Sequence, residues 1–150
     1  MIGGGDRDHK FVGRILDQIR AGARVLHAVT DKLGTPTYTE DFAENLIALI
    51  ESQRYGLFHM ACRGEGSRFD VARAIVDHLG LVDIEVRPVG SDYFATSFPA
   101  PRPHSEMMRN RMLELHSLDR MRHWQVALGD YLEGVIRAFP ITEPQSMTSR

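Results

Sequence analysis

A second cysteine, a long apolar run and almost all lysine are missing from this chain, and each absence narrows what it can be. The single Cys62 rules out an internal disulfide and fits a reducing cytoplasm. No apolar run approaches the roughly eighteen residues that cross a bilayer. The opening MIGGGDRDHK has no apolar stretch of the kind a secretory leader carries. A formal net charge of −2 offers no electrostatic footprint for DNA or RNA. Lys10 and Lys32 are the only lysines, beside sixteen arginines. Arginine suits bidentate phosphate contacts, although genome base composition produces the same excess. The seven histidines are scattered without ligand spacing, so no metal is expected.

Two further absences bear on chemistry. Dinucleotide-dependent hydride transfer needs a glycine-rich strand-to-helix turn for the pyrophosphate. It also needs a tyrosine acid, usually with a lysine four residues on. Four residues after Tyr38, Tyr55, Tyr93 and Tyr131 stand Phe42, His59, Ser97 and Val135. None is lysine. Gly3-Gly4-Gly5 has no strand before it and the wrong spacing, so it reads as a flexible lead-in. The chain by itself is expected to bind no cofactor and to hold no catalytic residue.

What is present is a globular composition, 43% hydrophobic and 25% charged over 150 residues, enough for one domain with a real core. Apolar residues at helical spacing predict a helix over 8–21, with Phe11, Val12, Ile15, Leu16 and Ile19 inward and Gly22 as the stop. A strand over 24–29 follows. A second helix is predicted after a Thr39 cap, with Glu40 and Asp41 in its first turn and Phe42, Ala43, Leu46, Ile47, Leu49 and Ile50 as its buried face. The run 57–62 reads as a strand covered on both faces, with His59 and Cys62 inside it. Ser67 and Asp70 form a capping box for a third helix ending at Gly80. A half-exposed strand over 84–87, a proline-rich loop over 97–104, a short strand within 106–110 and a final helix over 123–137 complete the reading. That last helix should bury Trp124, Ala127, Leu128, Tyr131, Leu132 and Val135.

Helix–strand alternation argues for parallel strands, which need cover on both faces. Three or four short strands make a poor sheet, and the run 57–62 needs neighbours on both edges. The chain is expected to complete a sheet it does not contain or to pair with a second copy. The plainer reading is a small α/β domain whose own loops close its edges.

Four segments, in order, resemble the C-terminal portion of the dTDP-4-dehydrorhamnose reductase family of extended short-chain dehydrogenase/reductases. They are Gly3-Gly4-Gly5-Asp6…Lys10-Phe11-Val12; Asp31-Lys32-Leu33-Gly34-Thr35-Pro36-Thr37-Tyr38…Asp41-Phe42-Ala43; Gly56-Leu57-Phe58-His59-Met60-Ala61…Ser67-Arg68-Phe69; and Arg102-Pro103-His104-Ser105-Glu106-Met107…Trp124-Gln125-Val126-Ala127-Leu128. The resemblance implies an α/β fold of helices with a few short, mainly parallel strands, lacking the N-terminal Rossmann half. Residues 1–137 would form the substrate-binding lobe with the last helix–strand element of the Rossmann sheet, and 138–150 a flexible tail. The implied function is the substrate-binding portion of an NADPH-dependent reductase of a 4-keto-6-deoxy nucleotide sugar, in dTDP-rhamnose biosynthesis, inactive alone. Implied partners are a dTDP-sugar and either a second copy or a separate Rossmann-containing chain, in the cytoplasm, with no nucleic acid and no membrane. The alternatives are a non-catalytic binding or regulatory module, since the fold also resembles the regulatory subunit of methionine adenosyltransferase, and a truncated remnant.

Five residues are candidates for ligand contact. Arg102, bracketed by Pro101 and Pro103, has a restricted backbone and a guanidinium fork suited to a diphosphate; otherwise it is a surface arginine. Ser105 offers a hydroxyl to the ligand or caps its own turn. Thr37 and Tyr38 precede a helix start, where orphan amides favour anions, or they shape the hinge between lobes. Lys10 stands where the resemblance implies an asparagine facing the nucleotide sugar, and a lysine there would meet a phosphate. Asp41 reads as a stabiliser of the helix start, and Trp124 as packing rather than a stacking platform for thymine.

Overall fold

The computed structural model describes residues 1–97, 100 and 102–138. Helix α1 (Phe11–Arg20) buries Val12, Ile15, Leu16 and Ile19 as its spacing predicts, and Gly22, at φ 85°, follows its end. It starts three residues late because Asp8 is diverted. The Asp8 carboxylate accepts the Lys10 amide at 3.0 Å and the Tyr131 hydroxyl at 2.9 Å. Gly13 permits this, since a Cβ there would lie 1.6 Å from the Asp8 carbonyl oxygen.

Strand β1 (Val25–Val29) runs parallel to β4 (Glu85–Val89), with Val25 opposite Glu85 and Val29 opposite Val89. Helix α3 (Arg68–His78) packs on both strands, and α5 (Trp124–Ala138) packs on α3. Leu26 and Ala28, Val71, Ala72, Ile75 and Val76, and all six expected α5 residues are buried together. Each large side chain removed from water stabilises this core by about 1.5–3 kcal/mol. The expected capping box is present: the Asp70 amide donates to Ser67 Oγ at 3.1 Å, and the Ser67 amide to Asp70 Oδ2 at 2.7 Å.

A second, smaller sheet has β2 (Leu33–Gly34) at its centre, antiparallel to β3 (Gly66–Ser67) and parallel to β5 (Ser105–Glu106). Helix α2 (Thr39–Glu51) follows β2, and α4 (Arg111–Leu115), a single turn the sequence pattern did not reveal, follows β5. Strand pairing after 104 stops at Glu106 instead of reaching Asn110. The lead-in is fixed rather than loose: Ile2 is buried and exchanges backbone hydrogen bonds with Thr37 and Thr39, while Gly3 lies against the Thr39 side chain.

Three further expectations fail, for connected reasons. Thr39 is the first residue of α2 rather than its cap; Tyr38 occupies the cap without a side-chain bond. The run 57–62 is not a strand, because no described strand lies beside it. Leu57 is 78% exposed and His59 is exposed too, whereas Ala61 and Cys62 are buried. Asn110 substitutes for the missing neighbour: the Ala61 amide donates to its Oδ1 at 2.9 Å and its Nδ2 to the Ala61 carbonyl at 2.7 Å. Finally, α2 turns its polar side inward. Asp41, Asn45 and Ala48 are buried, Phe42 and Leu49 are half-buried, and Ala43, Leu46, Ile47 and Ile50 face out, the last two 58% and 67% exposed. Of the expected tail, α5 includes Ala138, and residues 139–150 lie outside the described residues.

Candidate functional site

The short sheet gathers the cations. Leu33 pairs with Ser67 on one side and Ser105 on the other, so the residues next to that register, Lys32, Arg68 and His104, are brought side by side. Lys32 Nζ donates to the Arg102 carbonyl at 3.0 Å, and the Leu33 amide to the His104 carbonyl at 3.0 Å. The His104 ring bonds through Nδ1 to the Asp31 carbonyl. Asp31 is pinned in turn by Ser91, whose amide and hydroxyl donate at 3.0 and 2.8 Å. The Ser91 hydroxyl bond, foremost, holds the Asp31 carboxyl below the usual range.

Arg102 therefore sits on an anchored loop with its side chain exposed. Pro103 is described beside it, and Pro101 lies outside the described residues. Lys10 stands at the cap of α1, next to Phe11, and Arg68 lies with its guanidinium 4.8 Å above the Phe11 ring. Although Arg68 is exposed, desolvation and then the Arg102 charge push its pKa down, against an upward pull from Glu106. Seven other arginines (Arg20, Arg24, Arg63, Arg73, Arg87, Arg109 and Arg122) have carboxylate partners. Among the described residues the side-chain cations of Lys10, Lys32, Arg68 and Arg102 hydrogen-bond no carboxylate. The arrangement is an open cationic face, able to take an anion bidentately through a guanidinium.

The other candidates are placed differently. The Ser105 hydroxyl accepts the Met107 amide at 3.3 Å, a bond within its own turn, on the exposed strand β5 beside the cations. Thr37 is buried; its hydroxyl donates to the Thr35 carbonyl at 2.9 Å and accepts the Cys62 amide at 3.2 Å. Tyr38 is buried with its ring tilted against Tyr131, centroids 5.7 Å apart. Burial first, then Glu40, raises the Tyr38 phenol; burial first, then Asp8, raises that of Tyr131. The structure thus brings Lys10, Arg102 and Ser105 toward one face and sets Thr37 and Tyr38 within the joint between the N-terminal segment and α2.

That joint is ionic. Arg122 donates through Nη2 to Asp41 Oδ1 at 2.6 Å and through Nε to Oδ2 at 3.1 Å, and also pairs with Asp130 of α5. Both carboxylates raise the Arg122 pKa. The Cys62 thiol, 3.9 Å from Asp41, is pushed up by burial. Asp41 does more than favour its helix start; it ties α2 to the segment before α5. Trp124 is buried and donates to the Glu65 carbonyl at 2.9 Å, a packing role.

Arg68, Lys32 and Arg122 escaped the reading of the sequence. Arg68 left a signal: a cation in the first turn of a helix opposes the macrodipole, and such local conflicts gather at functional sites. Lys32 left none, because a two-residue strand has no pattern to read. Two cavities lie away from the cationic face. One, of about 170 Å³, is lined by residues including Gly4, Tyr38, Glu40 and Tyr131; the other, of about 310 Å³, includes His78 and Gln125. Neither cavity is lined by Lys10, Lys32, Arg68 or Arg102.

Comparison with known proteins identifies the family. Residues 4–136 match the family model described as the RmlD substrate binding domain. A dTDP-4-dehydrorhamnose reductase of Mycobacterium tuberculosis strain H37Rv is 37% identical over 119 residues, 79% of this chain and 38% of that protein. The crystal structure of a dTDP-4-dehydrorhamnose reductase ortholog from Clostridium acetobutylicum is 33% identical with a TM-score of 0.78, over 86% of this chain and 45% of that one. The Bacillus anthracis dTDP-4-dehydrorhamnose reductase, solved in complex with NADP, is 25% identical with a TM-score of 0.75, over 87% of this chain and 45% of that one. The chain spans less than half the length of each of these three relatives. It belongs to the RmlD substrate binding domain family.

Proposed function

We propose that this chain is the nucleotide-sugar-binding part of a dTDP-4-dehydrorhamnose reductase-like protein, in which NADPH would reduce a 4-keto-6-deoxy sugar. The single observation that carries this reading is the family match over 4–136 coinciding with an unpaired cationic face at Lys10 and Arg102. Arg102 takes the diphosphate through its guanidinium, Lys10 adds a point charge, and Ser105 offers a hydroxyl beside them. Thr37 and Tyr38, buried in the joint, position α2 instead of touching the sugar.

The residues described do not fit NADPH. Gly3, the residue most like part of a phosphate loop, has its Cα face filled by Thr39: a Cβ there would lie 2.0 Å from Thr39 Oγ1. No reaction step is assigned to this chain. Hydride delivery belongs to a complementary Rossmann half, on the same polypeptide or another, seated on the outward apolar face of α2 and the unpaired run 57–60. The lobe would comprise residues 1–137 together with Ala138, which closes α5, and Cys62 suits a reducing cytoplasm. Among the described residues no helix is long and apolar enough to cross a membrane.

Calorimetric titration tests the proposal. The purified chain should give saturable heat with dTDP and none with NADPH. No response at millimolar dTDP removes the substrate-binding role, and clear NADPH binding removes the division of labour.

A further inference from the structure

The amino end of a helix is electropositive, because its first amides are unpaired and its peptide dipoles align. A cation there is disfavoured. This chain nevertheless places Arg68 as the first residue of α3 and Lys10 at the cap of α1. The capping box of Ser67 and Asp70 fixes where α3 begins, so Arg68 cannot slide to a more comfortable turn. Its guanidinium rests over Phe11, the first residue of α1, which brings the two helix starts together. The pairing of β2 with β3 then sets Lys32 beside Arg68, and Lys32 holds the carbonyl of Arg102. Four cations of one sign are thereby assembled from four separate parts of the chain. Glu106 on β5 offsets part of this charge at Arg68, and a bound anion would relieve the repulsion that remains.

We infer that Arg68 is an anion-binding residue, closing with Arg102 on the same diphosphate, while Lys32 is a positioning residue that holds the Arg102 loop. The inference rests on the nucleotide-sugar reading of this face and deepens it, since two arginines from opposite sides of one small sheet select a diphosphate over a monophosphate. Phe11 orients the Arg68 fork by stacking beneath it.

The test compares the parent chain with R68Q, R68K, R102Q and K32M, each titrated with dTDP, inorganic pyrophosphate and thymidine. R68Q should weaken dTDP and pyrophosphate by about tenfold or more, the usual scale for losing a charge-assisted hydrogen bond, and leave thymidine unchanged. R68K, which keeps the charge but loses the fork, should recover part of the loss. K32M should weaken dTDP less than either glutamine variant. Thermal melting identifies any variant that fails to fold, and R68K serves if R68Q does. Parent-like binding of dTDP and pyrophosphate by R68Q, with R102Q weakened, would show that Arg68 only stacks on Phe11 and leave the nucleotide-sugar reading standing. A parent chain that binds neither dTDP nor pyrophosphate removes that reading and this inference together.

Discussion

Helices α5 and α2 are equally apolar and equally lopsided in sequence, yet they meet opposite fates. The apolar side of α5 is enclosed by α3 and its neighbours, with Trp124, Leu128, Leu132 and Val135 all buried. The apolar side of α2 faces outward at Leu46, Ile47 and Ile50, and Tyr55 and Leu57 extend the exposed surface just beyond the helix. What holds α2 down is its polar side. Asn45 donates to the Leu118 carbonyl at 3.2 Å and accepts the Arg120 amide at 2.8 Å, and Asp41 binds Arg122. An amphipathic pattern therefore identifies a face that wants cover without saying which chain supplies it.

Substitution can break or sharpen this contrast. The largest effect is expected in the enclosed core: Leu128→Ala should cost about 2–5 kcal/mol in urea unfolding, whereas Ile50→Ala should stay within about 0.5 kcal/mol. Equal losses would mean that the α2 face is covered within this chain or by a second copy. Asp41→Ala removes the charged hydrogen bonds that hold the inner side of α2 and should cost about 1.5–3 kcal/mol. Because Arg122 is 41% exposed and keeps Asp130, the lower part of that range is expected. Amide exchange should quicken along α2 and leave α5 unaltered; equal quickening in both would make them one cooperative unit.

Smaller effects concern the turn before α2 and the loop beyond β4. The Thr35 hydroxyl is buried without a hydrogen-bond partner among the described residues. Thr35→Val should therefore raise the isolated chain's stability by up to about 1 kcal/mol, and a loss instead would reveal a partner for that hydroxyl. Asp31 is depressed chiefly by its bond from Ser91. The stability it contributes is present above the ordinary aspartate value of about 3.9 and fades as pH falls through the lower folded value. Ser91→Ala should flatten that acid limb of the unfolding midpoint. An unchanged acid limb would discard the Asp31–Ser91 pair as its source.

The elements that carry their own pattern were legible in the sequence: the α1 stripe, the Ser67–Asp70 box, the half-exposed β4 and the six buried residues of α5. The family resemblance was legible too, from motifs spread along the chain. Features that depend on distant partners were not. Nothing local marks Asn110 as the stand-in for a strand beside Ala61, or Arg122 as the anchor of Asp41 eighty-one residues away. The apolar run 57–62 looks like a strand because its composition suits one, but pairing needs a neighbour. At the site, Arg102 and Lys10 could be nominated by residue type, while Lys32 and Arg68 required the register of two-residue strands.

The division of labour between binding and reduction is tested most directly by incubating the purified chain alone with NADPH and a dTDP-linked 4-keto-6-deoxy sugar. Ligand-detected NMR should show the sugar nucleotide bound, while NADPH absorbance stays constant. Steady oxidation of NADPH by this polypeptide unaided would contradict the account.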